Sequence, residues 1–96
     1  MMVLVSYDVS TKTAAGVTRL RKIAETCLDY GLRVQDSVFE CNVDPAQWES
    51  LKDRLLSLYD SESDSLRFYL LGSHWQRRVE HHGKTGLTDV EDPFIV

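Results

Sequence analysis

The sequence predicts an α+β sandwich in which the elements run strand, helix, two strands, helix, strand, with a further strand at the C-terminus. Three observations lead there. A β-branched, aromatic run opens the chain, two later segments repeat apolar residues at three- and four-residue steps, and the composition supports one core. At 96 residues with 43% hydrophobic and 27% charged, the chain is neither disordered nor disulfide-dense. Its length suits a single domain over 1–96, with 73–96 as a C-terminal arm or strand. The longest apolar stretch is Met1 to Val5, too short to cross a membrane, and no basic region precedes it to make a signal peptide. The expectation is a cytoplasmic protein with no membrane association.

Met2-Val3-Leu4-Val5-Ser6-Tyr7-Asp8 is too short for a helix and ends at the polar turn Ser10 to Thr13, so it reads as a central strand. Side chains alternate along a strand, which sets Val3, Val5 and Tyr7 on one face and Met2 and Leu4 on the other. Both faces need cover. From Ala14 to Tyr30, Val17, Leu20, Ala24 and Cys27 mark an amphipathic helix, joined by Ile23 and Leu28. Gly31 fits the left-handed position that stops a helix. Arg33 to Val43 has strand composition but loses alternation near Asp36 and Ser37, which predicts two short strands around a tight turn or bulge.

Asp44-Pro45-Ala46-Gln47 supplies an N-cap, a proline at the first helical position and a capping-box partner. Trp48, Leu51, Leu55 and Leu58 form the stripe of that second helix. The run Asp60 to Asp64 reads as an acidic surface loop too polar to pack. Leu66 to Leu71 is the next strand, then Ser73 to His82 is a short helix or irregular arm, and Phe94-Ile95-Val96 is an apolar end that must dock somewhere. This order is the ferredoxin-like split βαβ arrangement. Its two helices cover only one face of the sheet, so a sheet-to-sheet homodimer is expected to cover the other, with Phe94, Ile95 and Val96 adding to the partner's sheet edge.

Candidate chemistry starts at Asp8, where a carboxylate is exposed at the end of a rigid strand. A two-fold axis would bring two such carboxylates together, the number Mg²⁺ commonly takes beside water and phosphate oxygens. A metal held there could activate water and stabilise charge on a phosphodiester. Taken alone, Asp8 reads first as a turn residue bonding nearby amides, and it is the dimer that shifts the weight toward a metal ligand. Charge is divided unevenly: Lys12, Arg19, Arg21, Lys22 and Arg33 outnumber Glu25 and Asp29, whereas Glu40 to Asp64 is strongly acidic. The net charge of −4 disfavours a generic nucleic-acid coat, yet a basic first helix suits phosphate backbone. Arg77, Arg78 and Lys84 form a smaller basic arm beside Trp75, His81 and His82. Cys27 and Cys41 lack the spacing of a zinc site and read as buried reduced thiols. No phosphate-binding glycine loop, serine-hydrolase elbow, zinc-protease or paired-cysteine motif occurs.

Val5-Ser6-Tyr7-Asp8-Val9, Arg19-Leu20-Arg21, Tyr30 to Gln35 and Ser37-Val38-Phe39-Glu40-Cys41 together resemble the CRISPR-associated Cas-two family. Asp64 to Tyr69 and the Asp92-Pro93-Phe94-Ile95-Val96 ending resemble the branch found with type I-C systems. The resemblance implies a ferredoxin-like homodimer working in spacer acquisition beside the Cas-one integrase, and a metal-dependent endonuclease acting on RNA or double-stranded DNA. It implies Tyr7 and Asp8 as catalytic residues, with Asp8 as the shared ligand of Mg²⁺ or Mn²⁺. Arg19, Arg21 and Arg33 match basic positions near that site, and Ser37 and Phe39 match a supporting motif. Nucleic-acid contacts are expected from Arg19, Arg21, Lys22, Arg33, Arg77 and Arg78. Two other readings stand beside it: a non-catalytic DNA-binding scaffold bridging integrase dimers, and a toxin-like ribonuclease resembling virulence-associated protein D.

Overall fold

A computed structural model of the chain describes residues 1–84. Its elements are β1 (Met2–Asp8), α1 (Ala14–Leu28), β2 (Leu32–Gln35), β3 (Val38–Asn42), α2 (Pro45–Leu58) and β4 (Ser65–Gly72), followed by a short 3₁₀ turn, Trp75–Arg77. The four strands form one sheet in the order β2-β3-β1-β4, every neighbouring pair antiparallel. This is the ferredoxin-like α+β topology expected from the sequence. The C-terminal strand and the docking of Phe94, Ile95 and Val96 lie outside the described residues.

Alternation along β1 decides which face is core. Val3 and Val5 are fully buried and Tyr7 nearly so, and they meet Phe39 and Cys41 from β3 under Ile23, Cys27, Leu51 and Leu55 from the helices. α1 packs over β2 and β3. α2 reaches β4, where Trp48 meets Phe68 edge-on with ring centroids 5.0 Å apart. Burial of such apolar side chains, at about 25 cal/mol per Å², is what makes one sheet face and one stripe of each helix stick. Both cysteines are free thiols in this core. Burial pushes the Cys27 thiol up to about 12 and the Cys41 thiol up to about 11, so neither is nucleophilic at neutral pH.

The helix starts follow their capping residues. Thr13 Oγ1 accepts from the Gly16 amide at 3.1 Å, and Asp44 with Gln47 forms a reciprocal capping box at 2.7 and 2.9 Å. The turn between β2 and β3 falls at Asp36-Ser37, with an irregular register between Arg33 and Gln35.

Three local expectations are corrected. α1 stops at Leu28, and Gly31 does not take the left-handed conformation. Gly31 is required for a different reason: a side chain there would overlap the Glu40 carbonyl and lie 2.6 Å from Cys41 Sγ, so the glycine lets the chain leave α1 flat against β3. Val17, expected in the apolar stripe, is 53% exposed because Gly16, one residue earlier, takes the buried position against the loop after β1. The Asp60 to Asp64 loop is not too polar to pack. Its last carboxylate is enclosed, because hydrogen-bond donors from three segments surround it.

Candidate functional site

The end of β1 is held from both sides. β4 runs beside it as far as the pairing of Asp8 with Ser65, and β3 as far as that of Ser6 with Val38. One residue further, the Tyr7 amide donates to the Ser37 carbonyl at 3.1 Å. Strand alternation then divides the two candidate catalytic residues. Tyr7 points under the helices with Val3 and Val5, and Asp8 belongs to the opposite face with Leu4 and Ser6, exposed.

On the covered side, the Tyr7 ring stacks near Phe39, centroids 6.2 Å apart, and its hydroxyl donates to the Asp36 carbonyl at 3.4 Å. Arg33 also bonds this phenol and places its guanidinium 5.1 Å from the centre of the Phe39 ring. Burial raises the Tyr7 pKa while Arg33 opposes the rise, so the phenol stays protonated, its O–H donating to the Asp36 carbonyl and its oxygen accepting from Arg33. Tyr7, Arg33, Ser37 and Phe39 are therefore brought together, Ser37 through its backbone, and Asp8 stands apart from them across the sheet.

The other flank was not legible. Asp64, just before β4, has a side chain with no exposure to solvent. It accepts from Arg19 Nε at 2.8 Å and Nη2 at 3.2 Å, from the Ser10 amide at 3.1 Å and from the Asp60 amide at 2.9 Å. Arg19 and these amides hold the Asp64 carboxyl down at about 2. Nothing local in the sequence marks this pair, since the partners lie 45 positions apart. The only hint is an acid placed directly before a strand.

The basic residues form two separate groups. Arg21 and Lys22 are exposed on α1, where Arg21 pairs with Glu25 at 3.1 Å. Lys22 lines an open groove between α1 and α2 of about 420 Å³, with Glu25, Asp29 and Arg54 in its walls. Arg77 and Arg78 follow β4 at the far edge of the sheet, and Arg78 donates to the Leu71 carbonyl at 3.2 Å. Sequence reasoning also missed Arg67, exposed on the same face as Asp8 and donating to the Tyr69 hydroxyl at 3.3 Å.

The family model for CRISPR associated protein Cas2 matches residues 1–79. The chain belongs to the CRISPR-associated Cas2 family. A CRISPR-associated endoribonuclease Cas2 of Chlorobaculum tepidum is 60% identical over 96 residues, covering all of both chains. A CRISPR-associated endonuclease Cas2 of Halalkalibacterium halodurans is 54% identical over 95 residues, 99% of each. Among solved structures, Streptococcus pyogenes Cas2 at pH 6.5 superposes with a TM-score of 0.74 at 60% identity, over 86% of this chain and 100% of that one.

A divalent metal at this Cas2-family strand end is tested by its donor set. Among the described residues no group of three or more His, Cys, Asp or Glu side chains could hold an ion. Asp8 is a single hard oxygen donor exposed at a rigid position, which suits Mg²⁺ or Mn²⁺ once a second carboxylate is supplied. No helix among the described residues is long and apolar enough to cross a membrane.

Proposed function

We propose that the chain acts in CRISPR adaptation as a homodimeric, metal-dependent endonuclease on RNA or double-stranded DNA, alongside the Cas-one integrase. The observation that carries this reading is the position of Asp8: an exposed carboxylate on the sheet face that the helices leave uncovered, at the end of a strand fixed on both sides. The relatives' names, endoribonuclease and endonuclease, support it.

Two copies packed by their open sheet faces would bring two Asp8 carboxylates to one axis, and those residues would hold Mg²⁺ or Mn²⁺. When bound, the ion supplies Lewis-acid polarisation of a phosphodiester and of attacking water. The chain's own residues do the rest. The Tyr7–Phe39–Arg33 cluster packs under the strand from its buried side, and Asp8 ends the same strand on the exposed face. Arg21, Lys22 and Arg77 are exposed cations suited to phosphate backbone without sequence preference. β4 is an edge strand, so its outer side is available to the partner's Phe94-Ile95-Val96.

A scaffold role is favoured by one observation of its own: among the described residues Asp8 belongs to no group of three or more His, Cys, Asp or Glu side chains that could hold a metal within one chain. Asp8→Ala separates the readings. Parent and variant are incubated with RNA and with duplex DNA in Mg²⁺, in Mn²⁺ and in EDTA. Metal-dependent cleavage by the parent and a loss of at least about a hundredfold in the variant support the nuclease. Equal activity in both proteins, or none in the parent while duplex binding persists, assigns the chain to the scaffold role.

A further inference from the structure

We propose that Arg19 and Asp64 form a positioning latch for Asp8, so that Arg19 serves the site through Asp64 and not by contact with nucleic acid. This rests on the reading of Asp8 as the functional carboxylate.

The latch is built at one corner. Asp64 immediately precedes Ser65, the residue paired across the sheet with Asp8, and its carboxylate takes the amide of Ser10, two residues beyond Asp8. The same carboxylate takes Asp60, which closes the α2–β4 loop, and the Nε and Nη2 donors of Arg19 from α1. α1 approaches Ser10 closely from its other side, where a Cβ on Gly16 would overlap the Ser10 carbonyl. The strand that carries Asp8 thus leaves the sheet through an amide bonded to the Asp64 carboxylate, and the strand that pairs with it enters the sheet directly after Asp64.

Geometry also removes Arg19 from the phosphate-binding set. Its side chain is 20% exposed, and the fork is committed to a carboxylate that has no access to water. Swinging out to a phosphate would strand the Asp64 charge without its partner, and a lone buried charge is costly. Arg21 and Lys22 carry no such commitment to the core.

The test uses full-length Arg19→Lys and Asp64→Asn with three readouts. Amide hydrogen exchange at Ser10 and Asp60 reports the latch. Broadening of the Asp8 amide resonance by Mn²⁺ alone reports the site, and duplex DNA affinity against salt reports phosphate contact. A latch predicts exchange at least about tenfold faster in both variants, corresponding to the loss of a charge-assisted hydrogen bond. It also predicts a several-fold higher Mn²⁺ concentration for the same broadening. DNA affinity and salt slope should be unchanged in Arg19→Lys and in Arg19→Ala. Unchanged exchange in Arg19→Lys and Asp64→Asn overturns the latch. So does a salt slope reduced by about 0.9 in Arg19→Ala, the signature of one lost phosphate contact. If the parent shows no Mn²⁺ effect at Asp8, the metal reading fails separately. The latch then stands or falls on whether Asp64→Asn speeds exchange at Ser10 and shifts the Asp8 amide resonance.

Discussion

The two faces of one sheet are built from the same strands and do opposite work. Under the helices, Val3, Val5, Phe39 and Cys41 have no exposure, and the side chains interlock with both helices. On the open face, Leu4 is half-buried, Leu32 is 68% exposed and Tyr69 is 45% exposed, with Glu40, Arg67 and Asp8 among them. A one-residue step along β1, from Tyr7 to Asp8, crosses from one regime to the other. Buried apolar packing is concentrated on the covered face, leaving the open face free to carry charged and exposed side chains. Changes on the two faces should therefore separate cleanly into losses of stability and losses of association or chemistry.

The largest effect is expected on the covered face. Phe39 is fully buried between Tyr7 and Arg33, so Phe39→Ala removes core contacts and leaves a cavity. A loss of about 3–5 kcal/mol is expected from urea unfolding monitored by circular dichroism. A change below about 1 kcal/mol would mean that the covered face is not the main source of stability.

An intermediate effect belongs to Asp64, at the edge between the two regimes. Its carboxyl is lowered from the ordinary 3.8 to about 2, so the folded value lies below the unfolded one. The stabilisation is complete above about pH 4 and is lost as pH falls toward 2. It amounts to about 1–2 kcal/mol once solvent screening at the partly exposed Arg19 is allowed for. Asp64→Asn should lower the urea midpoint at pH 7, and its difference from the parent should shrink on going to pH 2.5. A difference that stays constant with pH would show that the carboxylate's charge contributes nothing.

Local pattern carried most of the fold. The alternation in β1, the Asp44-Pro45-Ala46-Gln47 cap and the break at Asp36-Ser37 each depend on neighbours within a few residues, and each forms as read. What escaped depends on distant partners. Gly31 looked like a helix stop because glycine commonly is one, whereas its role is set by Glu40 and Cys41 on a strand not yet reached in the chain. The acidic loop looked solvated because its composition is polar, whereas Arg19 and the Ser10 amide turn its last residue inward. At the site, alternation along β1 already sets Tyr7 and Asp8 on opposite faces, whereas the partners of Tyr7, the Phe39 ring and the Asp36 carbonyl, come from the distant β2–β3 hairpin.

The smallest effect on the single chain should come from the open face, and there association is the measure that matters. Leu4 lies between Glu40 on β3 and Tyr69 on β4. Leu4→Lys places an ammonium directly opposite the Glu40 carboxylate, a pairing that supports antiparallel strands by about 0.2–1 kcal/mol and offsets part of the lost apolar contact. In a separate chain the charge remains in water, so stability should change by no more than about 1 kcal/mol. Between two packed sheets the same ammonium would have to be desolvated, at a cost of several kcal/mol. Light scattering should then show the parent at twice the 11.0 kDa chain mass and the variant at the chain mass. The parent's unfolding midpoint should rise with protein concentration, and the variant's should not. A variant that keeps the parent's mass would place the partner somewhere other than the open face, and with it would go the reason for bringing two Asp8 carboxylates to one axis.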